Sequence, residues 1–76
     1  MPNWQDYKGT VSPESWKRIE LYVEDAQDQT ELSDYPSVSS WREMVSVLCM
    51  HENGLAIDSI HDELIEDYKI YLEALE

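Results

Sequence analysis

The chain has 76 residues, enough for one domain that buries about 60% of the surface of the unfolded chain. Seventeen Asp and Glu residues against five Lys and Arg residues give a net charge of −12, which excludes direct binding to DNA, RNA or an anionic membrane as the main activity. A hydrophobic content of 42%, with three Trp and five Tyr, exceeds that of disordered acidic tails. We therefore expect a single acidic helical domain over residues 1–76.

Cysteine usage and the absence of targeting segments favour a cytoplasmic protein. Cys49 is the single cysteine, so an internal disulfide and a multi-cysteine zinc site are excluded, and a lone thiol in an apolar run is most often a small core residue. The first residues lack a basic start followed by an apolar stretch, so we expect no signal peptide. No stretch approaches the roughly 18 apolar residues of a membrane helix. We expect a location in the cytoplasm.

The N-terminal segment, residues 1–11, is predicted to lie across the helices as a lid. Asn3 can cap one turn that contains Trp4 and Tyr7 and ends before Gly9.

Helix 1 is predicted over residues 13–28. Ser12 can cap it, Pro13 suits the first helical position, and Glu14 complements the positive end of the helix dipole. The apolar residues that follow at helical spacing are Trp16, Ile19, Val23 and Ala26.

Residues 29–39 are predicted to form a linker, in which Pro36 disfavours helix at the preceding residue. Helix 2 is predicted over residues 41–52, because Ser40 and Glu43 have the spacing of a capping box and Gly54 provides a left-handed stop. A buried strand over residues 44–50 is the alternative, since periodicity cannot exclude it. Apolar side chains cover most of the predicted helix, which is typical of a central helix. They are Trp41, Met44, Val45, Val47, Leu48, Cys49 and Met50.

Helix 3 is predicted over residues 57–75 and gives the clearest helical pattern in the sequence. Its apolar side chains recur by threes and fours along one face. Three helices with short connections predict an all-α fold, a small three-helix bundle with up-down packing and a short N-terminal segment packed across it. The apolar face of helix 3 is a stripe of Ile57, Ile60, Leu64, Tyr68, Tyr71 and Leu75, widened by Ile65 and Leu72.

The sequence carries no signature of catalysis or metal binding. His51 and His61 lie near carboxylates, but the chain lacks the i, i+4 His pair and the cysteine pairs typical of zinc ligands. The string DSIH at 58–61 resembles half of a carboxylate-bridged dimetal motif whose matching half is absent. There is no Gly-x-Ser-x-Gly turn, no phosphate-binding loop and no evident His–Asn arrangement around Cys49. We expect no enzymatic activity, no cofactor and no metal.

Half of the net charge belongs to the last segment, because residues 55–76 hold seven acids and one lysine. On a helical wheel the acids of helix 3 form a stripe opposite the apolar face, with Lys69 inside it. Helix 1 repeats this pattern, which Glu31 would continue if the helix ran on. The candidate partner-binding acids are Asp58, Asp62, Glu66, Glu73 and Glu76 in the stripe, Glu63 and Asp67 on its flank, and Glu20, Glu24 and Asp28 of helix 1.

The spacing of these acids favours a surface that a basic partner recognises over a merely solvated face. Like charges recur at i, i+4 on both outer helices, where each pair costs several tenths of a kcal/mol. Helix 3 is also predicted to crowd acids toward its C-terminal end, where the helix dipole disfavours them. Leu21 and Ile70 are apolar residues that depart from the pattern. Either the lid, through Trp4 or Tyr7, covers one of them, or they are anchors within an acidic rim.

Two functions fit this pattern. The first is a small acidic inhibitor that occludes the basic nucleic-acid-binding surface of a target protein, because its carboxylates bind the Lys and Arg side chains that normally bind phosphates. In size and charge alone the chain is similar to the inhibitors of phages and mobile elements, such as anti-CRISPR or anti-nuclease DNA mimics. The alternative is a helical adaptor or regulatory module, monomeric or homodimeric, that binds through exposed apolar residues. An enzyme or metal protein, and an acidic protein adapted to high salt, are the remaining interpretations.

Overall fold

The computed structural model describes residues 3–75, and every regular element in that range is helical. The α-helices are α1 (Pro13–Gln29), α2 (Trp41–Glu52) and α3 (Asp62–Ala74). The shorter 3-10 elements are the N-terminal 3-10 helix (Trp4–Thr10), the linker turn (Leu32–Asp34) and the pre-α3 turn (Ser59–His61). The all-α prediction is therefore confirmed, and the alternative of a strand over residues 44–50 is wrong.

Side-chain caps determine where α1 and α2 begin. The Oγ of Ser12 accepts a hydrogen bond from the Ser15 amide at 3.2 Å, and the Oγ of Ser40 accepts one from the Glu43 amide at 3.0 Å. The second half of the predicted capping box differs, because the Glu43 carboxylate accepts from the Ser39 amide at 2.6 Å. Both helices begin at the predicted residues.

The end of α2 is a Schellman turn built around a glycine. Gly54 has a φ of 72°, in the left-handed region. Its amide donates to the His51 carbonyl, and the Leu55 amide donates to the Met50 carbonyl, each at 3.0 Å. The chain then continues as an irregular segment over residues 55–58.

The third helix begins later than predicted. The apolar spacing predicts helix from residue 57, but the Asp58 side chain accepts a hydrogen bond from the Ile60 amide at 3.1 Å and starts the separate pre-α3 turn. Ile60 is 64% exposed as a result, and Leu75 at the other end is 53% exposed, so neither belongs to the core. The buried members of the predicted stripe are Leu64 and Tyr68.

The core lies among the three α-helices and beneath the N-terminal 3-10 helix. α1 packs against both α2 and α3, and the N-terminal 3-10 helix packs against α2. Trp4 of that segment lies beside Trp16 of α1, with ring centroids 5.8 Å apart. Met50, predicted to belong to the apolar circumference of α2, is exposed. The largest fully buried side chains are Ile19, Val23, Met44, Val45, Leu48 and Tyr68.

Candidate protein-binding surface

Four predicted acids of α3 are exposed and unpaired. Within residues 3–75, the carboxylates of Asp62, Glu63, Glu66 and Glu73 make neither a hydrogen bond nor an ion pair. Residues 63, 66, 70 and 73 follow one another at helical spacing, so Ile70 lies within the acidic row. Glu76, also predicted for this row, lies outside the described residues.

The later start of α3 changes the interpretation of its acids. Asp62 and Glu63 occupy the first turn, where the positive end of the helix dipole stabilises them. These two residues therefore do not belong to the acids that were predicted to crowd the disfavoured C-terminal end, and Glu73 is the described acid that fits that prediction. Stabilisation of the helix is therefore one reason for acids at Asp62 and Glu63. It gives no reason for an acid at Glu66, which lies one turn after Asp62 and repels it.

Two other predicted acids have roles in the fold. Asp58 precedes α3 and caps the pre-α3 turn, so it is not part of the helical row. The Oδ2 of Asp67 accepts a hydrogen bond from the Tyr22 hydroxyl at 2.7 Å and connects α3 to α1. Burial, followed by the hydrogen bond to Asp67, raises the pKa of Tyr22, so the phenol stays protonated as the donor. Both carboxylate residues remain exposed.

The predicted acids of α1 form a shorter row. Glu24 and Asp28 are exposed and Glu20 is half-buried, and none of these carboxylates is paired within the described part of the chain. α1 ends at Gln29, so Glu31 precedes the linker turn and does not continue the row.

Leu21 and Ile70 are exposed at 39% and 56%. The N-terminal 3-10 helix packs on α2 and Trp16, so the prediction that it covers one of them is wrong. The Tyr71 hydroxyl donates to the Leu21 carbonyl at 3.3 Å, which places Leu21 beside the turn of α3 that contains Ile70. These two residues, with the acids of α1 and α3, define the acidic surface. Its members are Glu20, Leu21, Glu24, Asp28, Asp62, Glu63, Glu66, Ile70 and Glu73.

Both arginines form ion pairs with acids that lie outside the acidic surface. Arg18 pairs with Glu52 at 2.6 Å, and Arg42 pairs with Asp6 at 3.3 Å. Lys69 is exposed near the α3 row and forms no ion pair within residues 3–75. No acid of the acidic surface therefore takes part in an ion pair within residues 3–75.

Glu52, which the sequence did not single out, links all three α-helices. Its carboxylate on α2 accepts hydrogen bonds from Arg18 of α1 at 2.6 Å and from the Tyr68 hydroxyl of α3 at 2.7 Å. Burial acts to raise the pKa of Glu52, but hydrogen bonds from Arg18 and Tyr68 outweigh it and lower the pKa to about 2. The sequence could not indicate this network, because Arg18 and Tyr68 lie 34 and 16 positions away.

A groove of about 380 Å³ lies between the linker and α3, and we call it the linker–α3 groove. The linker contributes Asp34 and Tyr35, and the other side contributes Ile60, Glu63 and Asp67. Its lining contains three carboxylates and no basic side chain. Sequence reasoning missed Asp34 and Tyr35 because they belong to the irregular linker, where no periodicity indicates which side chains face α3.

A second, more open groove of about 600 Å³ lies on the other side of α3. Leu55, Ile57 and Ile65 form its apolar lining. Its acidic lining residues include Asp62 and Glu66. A histidine and Lys69 also line it, so its charge is mixed.

Within residues 3–75, no group of three His, Cys, Asp or Glu side chains is arranged to hold a metal ion. None of the helices there is long and apolar enough to cross a membrane. Cys49 is buried, and burial raises the pKa of its thiol, which disfavours the reactive thiolate.

The chain matches no protein-family model, no curated protein and no solved structure.

Proposed function

We propose that this protein is a small acidic inhibitor that binds the basic nucleic-acid-binding surface of a target protein and occludes it. The observation that carries the proposal is the set of exposed, unpaired carboxylates on α3, namely Asp62, Glu63, Glu66 and Glu73. Lys and Arg side chains that bind phosphates form the same charge-assisted hydrogen bonds with carboxylates. Inhibition then requires no chemical step, since the occupied surface can no longer bind nucleic acid.

The spacing of the acids suits this mechanism. Carboxylates at positions 62 and 66 advance about 6 Å along the helix axis. Phosphates on one DNA strand advance about 3.4 Å per nucleotide along the duplex axis, and their separation through space is larger because the strand winds. A row of carboxylates at this spacing can therefore meet basic side chains that are arranged for a phosphate backbone.

The proposed scaffold is a three-helix bundle of α1, α2 and α3, with the N-terminal 3-10 helix packed across α2. Such a scaffold holds the two acidic rows on neighbouring helices in fixed positions. In its size and charge the chain is similar to inhibitors encoded by phages and mobile elements, such as anti-CRISPR or anti-nuclease DNA mimics. This analogy supports an inhibitor of that type. An inhibitor of that type acts in the cytoplasm of the host cell.

Competition with nucleic acid tests the proposal. The target is isolated from host-cell extract by cross-linking to the protein, and its affinity for a labelled DNA duplex is then measured at increasing protein concentration. Occlusion requires competitive displacement of the duplex. A target that binds the protein and the duplex simultaneously, at unchanged affinities, contradicts the proposal.

Matched variants identify the surface that competes. The Asp62→Asn/Glu66→Gln variant removes two charges at nearly constant side-chain size, and we expect its affinity for the target to fall by about tenfold. The control Gln5→Lys/Gln29→Lys changes the net charge by the same two units at exposed positions outside both acidic rows. Equal losses in both variants would indicate attraction to total charge and not to the α3 row.

An adaptor is the second candidate function, and the exposure of Leu21 and Ile70 favours it. In that case Leu21→Asp or Ile70→Asp abolishes binding, while the Asp62→Asn/Glu66→Gln variant binds nearly as well as the wild type. Leu55→Asp is the control, because Leu55 is also exposed but belongs to the irregular segment that follows α2. An adaptor also leaves the nucleic-acid affinity of its target unchanged.

A further inference from the structure

The linker–α3 groove has a strongly one-sided charge. The carboxylates of Asp34, Glu63 and Asp67 line it, and no basic side chain does. These acids come from two chain segments that the fold brings together, the linker turn and α3. A partner that fills the groove must therefore supply positive charge.

Two of these carboxylates are held in place while keeping a free oxygen. The Oδ2 of Asp34 accepts from the Glu31 amide at 3.0 Å, and the Oδ2 of Asp67 accepts from the Tyr22 hydroxyl at 2.7 Å. The Oδ1 atoms of both residues accept no hydrogen bond within the described residues. Fixed acceptors lose little conformational entropy when a ligand binds, so they favour a specific contact over diffuse attraction.

The groove also has apolar walls. Ile60 is 64% exposed, the most exposed large hydrophobic side chain within residues 3–75, and Pro36 and Leu64 are also part of the lining. The half-buried Tyr35 lines the linker side of the groove. A ligand that fits these walls has an apolar stem as well as a charged end.

We propose that the linker–α3 groove receives an arginine side chain of a basic partner protein. The aliphatic stem lies against Ile60, and the guanidinium binds among the carboxylates of Asp34, Glu63 and Asp67. Arginine fits better than lysine, because its planar group can bind two carboxylates at once and can stack on the ring of Tyr35. This inference rests on the proposed function and adds to it the docking position and the side chain that docks.

A peptide titration of the full chain tests the docking position. An oligo-arginine peptide and an oligo-lysine peptide of equal length are added at about 0.15 M salt, where long-range attraction is largely screened. Amide chemical shifts of the protein are followed by NMR. We expect saturable shifts centred on Tyr35, Ile60 and Glu63, and several-fold weaker binding of the lysine peptide.

Two matched variants test whether residues of the groove contribute to the affinity for the peptide. Ile60→Ser/Glu63→Gln removes one exposed aliphatic side chain and one exposed carboxylate from the groove. The control Leu55→Ser/Glu14→Gln makes the same kinds of change at exposed residues outside the groove and outside the acidic surface. We expect oligo-arginine to bind the groove variant about tenfold more weakly, the effect of losing one charge-assisted hydrogen bond. The control variant should bind it less than about twofold more weakly.

The outcomes separate this inference from the proposed function. Shifts that avoid the groove, or equal losses in both variants, overturn the groove but leave a basic partner on the acidic surface. Equal affinity for both peptides overturns the choice of arginine. Binding that is unchanged in both variants and in Asp62→Asn/Glu66→Gln overturns the groove and the proposed function together. The wild-type shift map needs no variant, so it decides the docking position even if a variant unfolds.

Discussion

Individual acids of this protein have two different surroundings. The Glu52 side chain is 9% exposed and bound to Arg18 and Tyr68, so it holds three helices together. Asp62 and Glu66 are exposed and have no partner within residues 3–75. The same carboxylate chemistry therefore stabilises the core in one place and stays available for a partner in another.

Replacing Glu52 tests its structural role. We expect Glu52→Gln to lower the free energy of unfolding by about 1–3 kcal/mol, because Arg18 and Tyr68 lose a charged acceptor. Urea denaturation at pH 7 measures the change. The control is Glu24→Gln, an exposed and unpaired acid whose replacement should change stability by less than about 0.5 kcal/mol. Similar losses in the two variants would contradict a stabilising network.

The lowered pKa of Glu52 predicts a sensitivity to acid. Its pKa is about 2 in the folded state against an ordinary value of 4.5, so the unfolded state binds more protons between these values. The stabilisation is fully present above the ordinary value, and it is lost as the pH falls from 4.5 to about 2, by up to about 3 kcal/mol. The difference in unfolding free energy between wild type and Glu52→Gln should therefore shrink over this range. A constant difference would contradict the assignment.

At the scale of the elements, local sequence signals predicted where α1 and α2 begin, but they did not predict where α3 begins. The caps at Ser12 and Ser40 and the stop at Gly54 act on adjacent residues, so the sequence alone reveals them. Ile60 continues the apolar spacing of α3, but the Asp58 cap places it in a separate turn. Periodicity cannot distinguish a helix from a turn that precedes it.

The acidic surface was predictable in part for the same reason. Exposure of the α3 acids follows from helical spacing, so Asp62 and Glu66 could be predicted. The roles of Asp67 and Glu52 could not, because Tyr22 lies 45 positions from Asp67 and tertiary packing alone brings them together. The linker–α3 groove escaped prediction because it forms between an irregular segment and a helix.

Two substitutions test which apolar residues hold α3 in place. Leu64 is 3% exposed, and we expect Leu64→Ala to cost about 2–5 kcal/mol of unfolding free energy. Ile60 occupies an equivalent position in the predicted stripe but is exposed, so Ile60→Ala should cost less than about 0.5 kcal/mol. Urea denaturation compares the two. Equal costs would mean that Ile60 packs in the core and that α3 begins where its periodicity predicts.

The stop of α2 depends on the conformation of one glycine. Gly54→Ala places a Cβ on a residue with a φ of 72°, and we expect a cost of about 1–2 kcal/mol from backbone strain. No heavy atom lies within 4 Å of the added Cβ, so a steric clash does not contribute. Gly9→Ala is the control, because its Cβ also meets nothing within 4 Å and its φ lies outside the left-handed region. A thermal melt in which both variants match the wild type would contradict the Schellman turn.

In the whole molecule, unpaired negative charge opposes folding and favours association. The net charge is −12, and two ion pairs, Arg18–Glu52 and Arg42–Asp6, occur within residues 3–75. Repulsion among the remaining acids weakens the free protein and decreases when a basic partner binds. Under the proposed function, the acids that destabilise the free chain are therefore the ones that attract the target.

Salt should consequently stabilise the free protein. Raising the NaCl concentration from about 0.01 M to about 0.15 M shortens the Debye length from about 30 Å to about 8 Å, so repulsion among exposed carboxylates decreases and the Tm should rise. The Tm of the Asp62→Asn/Glu66→Gln variant should rise less steeply with salt than that of the wild type, because the variant lacks the like-charge pair Asp62–Glu66 on α3. The control Gln5→Lys/Gln29→Lys has the same change in net charge outside both acidic rows. If the α3 row dominates, the salt dependence of its Tm should lie between those of the wild type and the Asp62→Asn/Glu66→Gln variant. A Tm that decreases over this range would show that the two ion pairs outweigh the repulsion and would contradict the prediction.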